Sequence, residues 1–172
     1  MSNIIFIGDS LTQWFDWAGR FPGHRVMNLG VSGETVEGLF ARGEYIRSIV
    51  ADPDFIFLMT GINNIVNGQH DILFLYREII HSLTTWYHKS EIIIQSILPV
   101  GLPGINNNAI QGINRRLIDI AREYHADYLD LYRLFVDAKG NPVSEYLSDD
   151  GVHLAKNGYK TWSDAVERYL KK

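Results

Sequence analysis

Apolar positions follow two different periods along this chain. Short apolar runs occur at Asn3–Ile7, Arg25–Leu29, Phe55–Met59 and Glu91–Ile97, with a weaker fifth at Asp127–Leu131. The first four end at or near Gly8, Gly30, Gly61 and Pro99. Runs of this length, stopped by glycine or proline, read as strands buried on both faces. Between them the apolar residues fall three and four apart. Thr35–Val50 carries Val36, Leu39, Phe40, Ile46 and Ile49 at that spacing, and Asp71–Tyr87, Asn108–Tyr124 and Lys156–Leu170 repeat the pattern. Each predicts a helix with one buried stripe.

Five strands alternating with helices predict a parallel sheet covered on both faces, with right-handed crossovers. No repeat, linker or low-complexity segment interrupts the pattern, so residues 1–172 are expected to form a single domain. Gly101–Asn108 and the longer Asp137–His153 read as loops. Long loops in a compact domain often carry function.

Composition narrows the picture. Hydrophobic residues make up 46% and charged residues 21%, with a formal net charge of -4. That balance is ordinary for a soluble domain and lacks the basic footprint that nucleic-acid binding needs. There is no cysteine, which removes disulfides, thiolate metal sites and thiol nucleophiles. The apolar start of MSNIIFIGDS is too short for a signal peptide or a membrane span, so the expected location is the cytoplasm.

In an open parallel sheet, ligands bind beyond the carboxyl ends of the strands. The unusual polar residues cluster there: Gly8-Asp9-Ser10-Leu11-Thr12 after the first strand, Asn28 to Gly33 after the second, and Thr60-Gly61-Ile62-Asn63-Asn64 after the third. Asp149 to Leu154 precedes the last helix. Ser10 suits either a helix N-cap or a nucleophile beside free backbone amides. A serine nucleophile needs a base. Of six histidines, His24, His70, His81, His88 and His125 read as solvated, whereas His153 lies at the functional edge three residues after Asp150. A carboxylate at that spacing can hold one imidazole nitrogen and leave the other facing Ser10. Gly33 and Asn63 offer a backbone and a side-chain N–H for an oxyanion hole. Taken singly, each of these residues is better explained as a cap or a turn; the conjunction points to chemistry.

The four segments resemble the SGNH, or GDSL, hydrolase superfamily. GDSLT matches its first block at Ser10, NLGVSGET its second at Gly33, GINN its third at Asn63, and DGVHL followed by NGY its last at Asp150 and His153. The resemblance spans nearly the whole chain. It implies a three-layer α/β/α, flavodoxin-like fold with a five-stranded parallel sheet. It also implies ester hydrolysis by a Ser10-His153-Asp150 triad through an acyl-enzyme. The oxyanion hole would be the Ser10 and Gly33 amides with the Asn63 side chain. Asn64 stands where many members carry Asp. The Asn-Asn form resembles the branch containing platelet-activating-factor acetylhydrolase catalytic subunits, which suggests a homodimer.

The expected substrate is a small-molecule ester, with no cofactor and no metal. Trp14, Phe15, Trp17, Ile65, Pro99, Leu102 and Pro103 are candidates for a small acyl pocket as well as for ordinary packing. Two other readings use the same fold: a flavodoxin-like small-ligand binder and a catalytically silent SGNH-fold interaction module. The first lacks a GxGxxG or GK[ST] loop, and the second is disfavoured by the complete set of signature residues.

Overall fold

The computed structural model describes all of Met1–Lys172. Five strands, β1 (Asn3–Gly8), β2 (Arg25–Gly30), β3 (Phe55–Met59), β4 (Glu91–Gln95) and β5 (Asp127–Leu129), form one parallel sheet in the order β2-β1-β3-β4-β5. The helices are α1 (Ser10–Gln13), α2 (Trp17–Arg20), α3 (Val36–Ala41), α4 (Gly43–Ile49), α5 (Ile62–Val66), α6 (Leu73–Trp86), α7 (Asn107–Glu123) and α8 (Lys156–Leu170). No helix is long and apolar enough to cross a membrane.

Alternation along β1 divides the core. Phe6 stacks on Trp17 of α2 at 3.9 Å and on Phe57 at 5.2 Å, and Trp17 meets Trp162 of α8 edge-on. Ile7 points to the opposite face, where Leu39, Ile46, Ile79 and Leu83 of α3, α4 and α6 surround a cavity of about 300 Å³. The result is the α/β/α sandwich that strand–helix alternation demands.

Three helical or strand boundaries, and the burial of the edge strands, differ from the sequence reading. The pattern over Thr35–Val50 divides into α3 and α4 at Arg42, whose guanidinium turns back to Glu34 and the Leu29 carbonyl. Gly43 begins the second piece under Trp86, where a Cβ would meet the indole at 3.3 Å. Strand β4 stops at Gln95 because side chains take over its ladder. Asn114 binds both the N–H and the C=O of Ile97, and Ser96 Oγ accepts the Leu131 and Tyr132 amides. The same substitution ends β5 at Leu129. Strands β2 and β5 are the two sheet edges and are not buried on both faces: Arg25, Met27 and Asn28 are exposed in β2, and no residue of β5 is fully buried.

The topology positions the site. Gly8 pairs in register with Gly30 on one side and Met59 on the other, so the segments after β1, β2 and β3 leave the sheet at one level. The chain runs from β1 outward to β2, then returns across β1 to β3. A crevice opens at such a reversal, and Ser10 and Asn63 follow the two strands that flank it.

Candidate active site

Asp9 is the N-cap of α1, its Oδ1 accepting from the Leu11 amide at 3.0 Å. The capping job that Ser10 could have taken thus falls to its neighbour. Ser10 becomes the first residue of the helix, its hydroxyl is left for other partners, and its amide has no intrahelical carbonyl to bind. Because α1 has four residues, it supplies free amides at this edge but little macrodipole.

Ser10 Oγ lies 2.9 Å from His153 Nε2, a contact between residues 143 apart in sequence. His153 Nδ1 lies 2.5 Å from Asp150 Oδ2. The other carboxylate oxygen, Oδ1, accepts from the Val152 amide, the His153 amide and Ser148 Oγ at 2.8–3.0 Å. Partial burial pushes the Asp150 carboxyl up, but the hydrogen bonds from His153, Val152 and Ser148 outweigh it and hold the group well below the usual carboxylate range. Asp150 is therefore a fixed anion at neutral pH. The adjacent Asp149 is exposed and makes no contact with the imidazole.

The loop that delivers His153 is pinned at several points. Leu147 bridges Leu154, the Ser148 amide donates to the His153 carbonyl at 2.8 Å, and the Gly101 amide donates to the Gly151 carbonyl at 2.7 Å. These bonds make the long segment before α8 an ordered arm. His70, His81, His88 and His125 are exposed as expected; His24 instead is half-buried, with Nδ1 unpartnered.

Gly33 adopts φ +75°, and a Cβ there would meet no atom within 4 Å. The turn needs glycine's left-handed backbone rather than its small size. Asn63 sits in α5, a single turn launched by Gly61 at φ +115°. Its Nδ2 donates one hydrogen to the Glu34 carbonyl at 2.9 Å, which ties β3's outgoing turn to the loop bearing Gly33 and leaves the second amide hydrogen free. Asn64 is fully buried. Its Oδ1 accepts from the Val36 amide and its Nδ2 donates to Glu37, so it braces the start of α3.

Several residues around the site take up contacts that the sequence did not assign to them. The Glu34 carboxylate forms a two-pronged pair with Arg42, at 2.5 and 2.7 Å, behind the Gly33 turn. Trp14 stacks on His153 with ring centroids 4.0 Å apart. Beneath Ser10, Asp9 is fully buried with Oδ2 unpartnered, and burial, aided by Glu34 and opposed by the Leu11 amide, pushes its carboxyl up to about 7.

The apolar candidates separate. Trp17 and Ile65 are core residues, each 1% exposed. Phe15 stacks on Tyr159. Leu102 and Pro103 line an open cleft of about 420 Å³ with Ser148 and Gly151, on the flank of the His153 loop. No group of three or more histidine or acidic side chains is placed to hold a metal ion.

Comparison with known proteins gives the family and the fold. Residues 6–161 match the GDSL-like lipase/acylhydrolase family. A search of curated proteins returns no significant match. Among solved structures, the chain is similar to a Streptococcus pneumoniae protein provisionally assigned as a platelet activating factor, with a TM-score of 0.88 and 28% identity, covering 98% of this chain and 84% of that one. It also resembles in fold an acetyl-xylooligosaccharide esterase variant from Geobacillus stearothermophilus (TM-score 0.81, 21% identity, 97% and 93% covered). A lipase/acylhydrolase from Enterococcus faecalis has the same fold (TM-score 0.79, 19% identity, 99% and 96% covered).

Proposed function

The chain belongs to the GDSL-like lipase/acylhydrolase family, and we propose that it is a single-domain serine esterase that removes a short acyl group through an acyl-enzyme intermediate. The observation that carries this reading is the unbroken relay from Ser10 Oγ to His153 Nε2, at 2.9 Å, and from His153 Nδ1 to Asp150, at 2.5 Å.

In this mechanism Ser10 Oγ attacks the ester carbonyl while Nε2 of neutral His153 takes its proton. Asp150 accepts from Nδ1–H, selects the tautomer with a bare Nε2 and stabilises the imidazolium that forms. The carbonyl oxygen gains a full negative charge as the tetrahedral intermediate forms. The amides of Ser10 and Gly33 and the free hydrogen on Asn63 Nδ2 receive it. Collapse breaks the bond to the alcohol oxygen, which takes the proton from Nε2. Water then repeats the sequence on the acyl-enzyme and regenerates Ser10.

Two observations favour a short acyl group. Trp17 and Ile65, which could otherwise line a long acyl channel near the nucleophile, are committed to the core. The acetyl esterase among the structural neighbours offers a precedent on the same fold.

The test is Ser10→Ala. It should abolish both hydrolysis of acetyl and propionyl esters and labelling by a fluorophosphonate, which traps an activated serine. Undiminished labelling of the variant, or a wild-type protein that neither labels nor hydrolyses any ester of a chain-length series, would overturn the reading.

A further inference from the structure

Trp14 is 58% exposed, an unusual position for a tryptophan unless something holds it. Two contacts do. One indole face lies on the His153 imidazole, with centroids 4.0 Å apart and planes within 16° of parallel. The indole Nε1–H donates to Ser32 Oγ at 2.9 Å. Ser32 is itself fixed, because its hydroxyl and its amide both donate to Gln13 Oε1, at 2.5 and 2.8 Å.

The connectivity of these contacts is informative. Gln13 ends the helix that Ser10 begins, Trp14 is its C-cap, and Ser32 precedes Gly33. The indole therefore joins three separate segments: nucleophile, oxyanion turn and base. His153 is pinned in its own plane at both nitrogens, by Ser10 and Asp150. Two pins on one axis leave the ring free to roll about that axis, and a flat neighbour stops the roll. The imidazolium formed during catalysis also meets the negative face of an indole, where a cation is stabilised.

We propose that Trp14 is a positioning residue for the catalytic base, holding the His153 ring in the Ser10–Asp150 plane and stabilising its protonated form. This rests on the esterase reading given above. Removing the indole weakens the base in the transition state, where the imidazolium exists, and leaves ester binding alone.

Kinetics and fluorescence together test this. Trp14→Ala should lower kcat about tenfold with KM nearly unchanged, the scale expected when a base loses an exposed cation–π partner and its fixed orientation. Trp14→Phe, which keeps a flat ring, should recover most of the rate. Ser32→Ala, which frees the indole edge, should fall between. Fluorescence reports the stack without any substrate. Imidazolium quenches an indole in contact with it, so wild-type emission should drop as His153 protonates. That drop should vanish in Trp14→Phe and in His153→Gln. The His153→Gln control separates the signal from the other titratable groups at this edge, which are Asp150, Asp9 beneath Ser10, Glu34 paired with Arg42, and Tyr159 bound to the Leu11 carbonyl. A pH-dependent quench that survives in His153→Gln overturns the stack. A rise in KM with unchanged kcat in Trp14→Ala makes the indole a substrate platform and overturns the positioning role. So does a Phe variant no better than Ala. Failure of the esterase reading looks different: wild-type protein then shows the quench but no ester turnover.

Discussion

Asn63 has one amide nitrogen and two hydrogens to place. One is spent on the Glu34 carbonyl, which orients the side chain; the other has no partner, and in the mechanism proposed above it meets the oxyanion. A donor of that kind strengthens only as charge develops, so its loss falls on kcat rather than KM. Asn63→Ala should lower kcat by roughly 10²–10³ per labelled active site. A variant that melts early yet turns over normally would make Asn63 only a tie to the Glu34 carbonyl. At this scale the sequence was legible where chemistry coincides with strand ends. Ser10, Gly33, Asn63, Asp150 and His153 stand out because each lies in a segment that follows a strand or precedes the last helix, and because their spacing resembles a known family. Asp9 and Trp14 stood out for other reasons, Asp9 as part of the GDSLT segment and Trp14 as a candidate for an acyl pocket. Asp9 reads as an ordinary cap, and the sequence gives no reason for Trp14 to meet His153 at the far end of the chain. Whether an aromatic beside a nucleophile joins the core, as Trp17 does, or the base, as Trp14 does, is decided by tertiary packing alone.

The elements show why the Gly33 turn holds its shape. The helical period over Thr35–Val50 predicted one helix, and the break at Arg42 has two causes that periodicity does not report. Gly38 and Gly43 lower helix propensity locally, and Arg42 is recruited to a carboxylate and a backbone carbonyl behind the turn. The short helices α1, α2 and α5 escaped the pattern for a simpler reason: four or five residues cannot establish a period of 3.6. The Glu34–Arg42 pair gives the element-level prediction. The Glu34 side chain is 6% exposed, so Arg42→Met strands a buried charge. Breaking such a pair costs roughly 3–5 kcal/mol, whereas replacing both partners is often close to neutral. Arg42→Met should therefore destabilise the protein strongly in denaturant unfolding. Glu34→Gln combined with Arg42→Met should recover most of that stability while kcat stays low, because the carboxylate that anchors the 31–34 turn is gone. Equal stability of the single and double variants would remove the pair from the account.

Over the whole molecule, the parallel sheet and its helical layers were legible because the apolar runs and stripes are long enough to count, and the exposed edge strand β2 was not, because a run of five residues does not say how many neighbours it will have. What no pattern showed is that the fold closes over a carboxyl group. Asp9 is fully buried, one oxygen accepts the Leu11 amide, and the other has no partner. Tyr76, buried with an unpartnered hydroxyl, is among the groups that feel its charge, and Glu34 adds repulsion. With its carboxyl raised from 3.8 to about 7, the native state binds this proton more tightly than the unfolded chain does. Stability from this group is therefore complete below about pH 4. It declines as pH rises between the two values and is fully lost above about pH 7. The anions held low, Glu37, Asp137, Asp150, Asp164 and Glu167, have the opposite sign, but their contribution is lost only in acid, below the unfolded carboxylate range. Between pH 5 and pH 8 the Asp9 trend stands clear of theirs. Asp9→Asn keeps an oxygen for the Leu11 amide and has no charge to bury. Relative to wild type, its Tm should improve more at pH 8 than at pH 5, by about 3 °C or more, since 1 kcal/mol moves the Tm of a domain this size by roughly 2–4 °C. The measurement is a pair of melting curves at each pH, for wild type and variant, on protein whose Ser10 still labels. An identical shift at both pH values would mean that Asp9 does not change its protonation across this range in the folded protein. The unpartnered oxygen would then have to be satisfied as an anion by a buried water.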